Sequence, residues 1–194
     1  SGSAEPMDLL HQASYHLKKI PLSHHYRSNH PDLIAFSNKH IYNNQLKAYP
    51  SFKSEKPIQH MFCEKGVFVN RQNEVEAKEI AKEIEVRLNH KNSVGIVAFS
   101  EEQLNCIWNN LSAKTQGKLT ARLDENTAFF KALENVQGDE CDHLLISFGF
   151  SKNEDDELHH RFGPMNTVNG RKRLNVLVTR AKESISFYCS IKST

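Results

Sequence analysis

The sequence predicts an α/β domain built on a parallel sheet. Short apolar runs alternate along it with segments of helical periodicity, the pattern of βαβ units. Two of the helical segments open on capping-box spacings, Asn73-x-x-Glu76 and Ser100-x-x-Gln103. The chain has 194 residues, room for one domain of ordinary size.

The elements follow in order. A short helix is expected over about Asp8–Leu17, then a run Lys18–Ser23 that reads as a first strand. Pro31 opens a helix at the position proline favours, with Leu33, Ile34, Phe36 and Ile41 on its apolar side. Asn43–Pro57 is polar and reads as loop, and Ile58–Cys63 alternates as a strand. The helix from Asn73 carries Ala77, Ile80, Ala81, Ile84 and Leu88 on one face. Val94–Ala98 is a continuous apolar run, a buried strand. The helix from Ser100 carries Leu104, Ile107, Trp108 and Leu111. Phe129–Leu133 and His143–Phe148 read as strands, and 149–170 as a long loop. Arg171–Lys182 reads as helix and Ile185–Ile191 as the last strand. Domain boundaries are set at 1–3 for an expression scar, 4–23 for the lead-in helix and first strand, and 24–194 for the main domain.

Composition excludes several classes. The formal net charge is +2, which fits neither a basic protein that coats polyanions nor an acidic tail. The mean hydropathy of −0.60 is low for a globule, yet 38% apolar residues lie well above the disordered range. The longest apolar runs, Val94–Phe99 and Leu144–Phe150, fall far short of the ~18 residues of a membrane helix. The start Ser1-Gly2-Ser3-Ala4 has no apolar core, so no signal peptide is expected. Cys63, Cys106, Cys141 and Cys189 are 35 or more residues apart, without zinc-finger or redox spacing. They read as reduced, buried thiols of a cytoplasmic protein. The pairs His24-His25 and His159-His160 have no partner at ligand spacing, so no metal site is expected.

Four segments could carry chemistry. The turn Val94–Ser100 points helix N–H groups at a sheet edge, where phosphate is a natural guest, although a plain helix cap is the simpler account of it. Gln137-Gly138-Asp139-Glu140-Cys141-Asp142 precedes a strand; Gly138 permits a tight turn or close approach to a ligand, and the carboxylates alternatively form a solvated acidic loop. In Arg171–Lys182, Leu174, Leu177, Val178 and Ala181 form a buried face, and an ideal helix sets Arg173 and Arg180 on one side, roughly 110° from its centre. A guanidinium there suits bidentate phosphate contact, unless the helix merely has a basic solvated face. Arg27 leads into the Pro31 helix and is a phosphate contact or a surface turn residue. No G-x-x-x-x-G-K-[ST] occurs, since Gly117-Lys118 lacks the glycine five positions earlier, so the chain has no P-loop.

The order of these pieces resembles the second RecA-like domain of a superfamily 1 helicase, in the group of the nonsense-mediated-decay helicase. Tyr26-Arg27-Ser28, Pro31 and Phe36-Ser37-Asn38 resemble "YR…HP…I…FSN", with Tyr42 near "fY". Asn73–Ala77 resembles "N…EA", and Val94–Gln103 resembles "IGIitpY..Q". Val136–Ser147 resembles "fQGrEkDvIilS", and Arg173–Lys182 resembles "RRLNValTRAk". Phe162–Asn166 and His24–Asn38 look most like large bacterial helicase-related proteins. Three positions depart from the pattern. Ala132 stands where the family usually has the Thr associated with a nucleic-acid phosphate contact, Phe99 replaces the usual Tyr, and Lys172 replaces a common first Arg.

The resemblance implies a three-layer, parallel-sheet RecA-like (P-loop NTPase-type) domain lacking the P-loop. It implies ATP with Mg²⁺, bound mainly by a first RecA-like domain of the same polypeptide, and single-stranded DNA or RNA as partner, with no membrane. Arg180 would be the arginine finger and Arg27 a second γ-phosphate contact. Gly138 and Glu140 would sit at the nucleotide, with Glu140 accepting a ribose hydroxyl, and Gln137, Asn175 and Thr179 would position these groups. The strand would cross Ser100 and Gln103, with Lys131, through backbone phosphates. Arg27, Glu140 and Arg180 are expected to converge at the carboxyl edge of the sheet. The competing readings are a degenerate RecA-like binding or scaffold module, and a metal-dependent nuclease using Asp139, Glu140, Asp142 and a histidine pair.

Overall fold

The computed structural model describes residues 15, 17–18, 24–25, 28–48, 56–152, 165 and 169–192. Its elements are β1 (His24–His25), α1 (Asp32–His40), β2 (Lys47–Ala48), β3 (Ile58–Phe62), α2 (Glu74–Arg87), β4 (Val94–Ala98), α3 (Glu101–Asn109), α4 (Ala113–Asp124), β5 (Ala128–Ala132), a 3₁₀ turn (Leu133–Asn135), β6 (Cys141–Ser147), α5 (Gly170–Val178) and β7 (Ala181–Cys189). The main sheet has strand order β3-β7-β6-β4-β5, and every neighbouring pair is parallel. β1 and β2 form a separate parallel pair.

Helices cover both faces, giving three layers around the apolar strands. On one face Ile80 and Ile84 of α2, Ile107 of α3 and Leu119 of α4 pack on Ile96, Leu145 and Tyr188. On the other, Leu33 of α1 and Leu177 of α5 pack on Val97, Phe129, Leu144, Ile146 and Ile185. Alternate side chains of β4 thus serve opposite cores, as the period of two requires. The interior strand β4, between β6 and β5, is buried throughout, which accounts for its uninterrupted apolar run.

Both expected caps are present. Asn73 Oδ1 accepts the Glu76 N–H at 3.1 Å, and Ser100 Oγ accepts the Gln103 N–H at 3.1 Å. Three features differ from the sequence reading. Helix α4 was not expected; Ser112 caps it by accepting the Thr115 N–H at 3.2 Å, and Leu119 is its fully buried anchor. The expected loop Asn43–Pro57 contains β2. Helix α5 ends at Val178 and β7 begins at Ala181, so the helix expected to reach Lys182 stops four residues earlier. Arg180 therefore lies in a turn, off the helix side that it would share with Arg173 on an ideal helix. Most of the expected first helix, strand Lys18–Ser23 and loop 149–170 lie outside the described residues.

Candidate functional site

Glu140 immediately precedes β6, and Arg180 immediately precedes β7. In a parallel sheet, residues that precede strands share its amino edge. The Cys141 N–H donates to the Arg180 carbonyl at 3.0 Å and locks the two strand starts together. This corrects the expected placement at the carboxyl edge. Glu140 and Arg180 do lie side by side, but at the opposite end of the sheet, because both segments enter strands rather than leave them.

The turn after α5 shapes the Arg180 side chain. Thr179 is the helix C-cap residue, and its hydroxyl donates to the Val176 carbonyl at 2.9 Å. Arg180 Nε donates to the same carbonyl at 2.8 Å, and Nη2 donates to Thr179 Oγ1 at 3.2 Å. Nη1 donates to the main-chain carbonyl of Asp139 at 3.1 Å. The guanidinium is partly buried and held from three sides.

The Gln137–Glu140 segment beside it bears both carboxylates on lysines. Lys131 Nζ donates to both Asp139 oxygens, at 2.8 and 2.9 Å. Lys182 Nζ donates to Glu140 Oε1 at 2.6 Å, and this hydrogen bond raises the pKa of the lysine. Gly138 has φ of +88°, a conformation that disfavours a side chain, although a Cβ there would meet nothing within 4 Å. Gln137 and Glu140 are exposed. Asn175 Oδ1 is buried with no hydrogen-bond partner among the described residues. Arg27 lies outside the described residues. The residues that follow it are fixed at the same edge. The Asn29 N–H donates to the Lys182 carbonyl at 2.7 Å, and Ser28 Oγ to the Ala181 carbonyl at 3.3 Å.

Lys131, next to last in β5 and paired with Val97, turns its ammonium onto Asp139, and Ser100 and Gln103 follow β4 at the carboxyl edge. Ser100 caps α3 and is partly exposed. Gln103, expected at the nucleic-acid surface, is 1% exposed with both ends of its amide occupied. Its Oε1 accepts the Asn73 N–H at 2.7 Å, and its Nε2 donates to the Asn73 carbonyl at 3.1 Å and to Ser147 Oγ at 3.0 Å. Burial of the whole amide turns it inward, to join α3 to α2 and β6.

Beneath Gln103 lies a group whose burial the sequence did not reveal. Glu76 is fully buried, and its carboxylate accepts four hydrogen bonds. Ser147 Oγ and the Gly149 N–H reach Oε2 at 3.0 and 2.7 Å; Ser190 Oγ and Asn73 Nδ2 reach Oε1 at 3.0 and 3.2 Å. Burial raises its pKa to about 7, against the pull of these bonds. Its capping-box position was the one available signal. The expected return bond to the Asn73 N–H is replaced by one to the Asn73 side chain. Among the described residues, no group of three or more His, Cys, Asp or Glu side chains is placed to hold a metal ion. Among those residues there is also no helix long and apolar enough to cross a membrane.

A three-layer, all-parallel sheet with helices on both faces, in a sequence without a P-loop motif, is a RecA-like α/β domain. The AAA domain family matches residues 6–192, and the chain belongs to that family. An uncharacterised ATP-dependent helicase of Mycoplasma pneumoniae is 32% identical over 179 residues, and its Mycoplasma genitalium counterpart matches equally. Each alignment covers 86% of this chain and 16% of the relative's length, so the chain spans about a sixth of these proteins. The C-terminal domain of a possible DNA helicase from Lactobacillus plantarum superposes with a TM-score of 0.50 at 13% identity. That match covers 84% of this chain and 86% of the other, and carries the fold alone.

Proposed function

We propose that this chain is the C-terminal motor half of an ATP-dependent nucleic-acid helicase of the cytoplasm, inactive by itself. The observation that carries the reading is Arg180, a guanidinium fixed at the amino edge beside the Gly138–Glu140 turn. Fixed planar donors suit charge that develops on a transferring phosphoryl group. Bound ATP with Mg²⁺ would supply the phosphoryl chemistry, and a first RecA-like domain would hold most of it.

In this reading Arg180 is the finger, Arg27 a second phosphate contact and Glu140 the acceptor for a ribose hydroxyl. Thr179 orients the finger, Gly138 lets the backbone approach, and Gln137 and Asn175 complete the edge. Asn175 Oδ1 is a buried acceptor without a partner among the described residues. Single-stranded DNA or RNA would run past Ser100 at the opposite edge, with Gln103 setting the position of that helix from below. Closing of the two domains on nucleotide would then step the strand.

The test is ATP hydrolysis, measured on the 194-residue chain and on the full-length protein with and without single strands. The chain alone is expected to match a buffer blank, while the full-length protein turns over ATP faster with strand. Turnover by the chain alone, abolished by changing its own residues, would overturn the half-motor reading.

A further inference from the structure

Asp139 faces two ways. Its carboxylate is gripped by Lys131, and its main-chain carbonyl receives Arg180 Nη1. Lys131 is the fourth residue of β5, an edge strand two places from β6 in the sheet. The segment that enters β6 comes within reach of its ammonium.

That segment needs an anchor. Val136 is buried on one side of it and Cys141 on the other, while Gln137, Gly138 and Glu140 between them are exposed. Asp139 is the inward-turned member, with its side chain 20% exposed. Gly138, at φ of +88°, gives the chain a turn that no helix or strand ladder enforces. A two-oxygen ion pair to a sheet strand restrains such a segment far better than one bond would. Arg180 Nε and Nη2 are tied locally, to Val176 and Thr179. Nη1 is tied to Asp139, 41 residues away. The plane of the guanidinium thus depends on where Asp139 is held.

We propose that Lys131 is a positioning residue for Arg180, acting through Asp139, and not a contact for nucleic acid. The inference rests on the finger reading for its catalytic consequence, while its structural content stands without it. Displacing an aligned group by about an ångström costs on the order of 10- to 100-fold in rate. A lysine bound to strand phosphate would behave differently, lowering affinity and reducing the salt slope by roughly one.

The experiment has two arms. In the full-length protein, Lys131→Ala and Asp139→Asn should each lower kcat at saturating strand by about 10-fold or more. Together they should lower it no further, because they break one link. Lys131→Arg should keep most activity, since its fork also fits a carboxylate. KM for ATP, strand affinity and its salt slope should stay as in the parent. In the 194-residue chain, NMR should show faster water exchange and a shift at the Arg180 Nε–H in Lys131→Ala, but not in the control Lys78→Ala. An unchanged Arg180 signal would overturn the proposal, as would weakened strand binding with normal kcat at saturation. An altered signal in Lys131→Ala, combined with normal turnover in Arg180→Ala, would uphold the positioning link and overturn the finger reading instead.

Discussion

The Gly149 N–H donates to Glu76 Oε2 at 2.7 Å, joining residues 73 apart in the chain. With Ser147, Ser190 and Asn73 it makes Glu76 the point where α2, β6 and β7 meet at the carboxyl edge. Four donors surround a fully buried carboxylate, and none of them carries a charge.

The pH dependence of stability follows. The Glu76 pKa is raised from 4.5 to about 7. Between those values the native state holds the proton and the unfolded state releases it, so stability falls as pH rises through this window. Below 4.5 both states are protonated and the cost vanishes; above about 7 it is complete. At 1.36 kcal/mol per unit, roughly 2–3 kcal/mol is lost between pH 5 and 8. Glu76→Gln cannot ionise, yet it is destabilised at every pH. Its amide turns an N–H₂ either toward the Gly149 N–H or toward Asn73 Nδ2, and both are donors. In urea titrations the stability gap between parent and Glu76→Gln should shrink as pH rises from 5 to 8. A gap that stays constant would show that Glu76 does not titrate there.

Gly138 tests conformation apart from packing. Its φ of +88° penalises any side chain, yet a Cβ there meets nothing within 4 Å among the described residues. Gly138→Ala should cost about 1–2 kcal/mol through the backbone, and Gly138→Asn less, since Asn tolerates positive φ better. Equal costs for the two, by chemical denaturation, would point to contacts rather than the dihedral.

The thiols should be inert in the native state. All four cysteines are buried, and burial pushes Cys63 and Cys141 up to about 12. At pH 8 the thiolate population falls by roughly 10³-fold relative to an exposed cysteine. A disulfide reagent should label the chain only as fast as it opens, and fully in urea. Rapid labelling of native protein at Cys63 or Cys141 would contradict this burial.

Much of this architecture was legible from local signals. The apolar run of β4 and the Asn73 and Ser100 caps depend on neighbours in sequence, and each appears where the pattern put it. Helix α4 was hidden because Gly117 interrupts it and Leu119 and Leu123 are its main apolar residues. The end of α5 was misplaced because Ala181 continues the helical period of Leu174, Leu177 and Val178, although it is the first residue of β7. Periodicity cannot distinguish a residue buried by a helix from one buried at a strand start. The amino-edge position of Glu140 is legible in chain order, since Glu140 precedes its strand, whereas the general tendency of ligands to gather at carboxyl edges points to the opposite end. The Glu76 network was out of reach: Ser147 and Ser190 come from 71 and 114 residues away.

Replacing Arg180 in the full-length protein is the sharpest test of the proposed chemistry. Its three bonded nitrogens reach the Val176 carbonyl, Thr179 Oγ1 and the Asp139 carbonyl, so the plane of the guanidinium is set before any ligand arrives. Charge that grows on phosphoryl oxygens in the transition state meets donors that need not reorganise. Arg180→Ala should therefore lower kcat by roughly 10³–10⁵-fold and change KM less. Strand affinity should hold, because Ser100 stands at the other edge of the sheet. Arg180→Lys should recover little, since one ammonium cannot span the three partners or present a planar pair of donors. The plain alternative is that the Arg180 stem only covers core surface. In that case Ala would lower the melting temperature, and Lys would restore both stability and turnover. A Lys variant with near-normal ATP hydrolysis would remove Arg180 from the chemistry and leave it a packing residue of the α5–β7 turn.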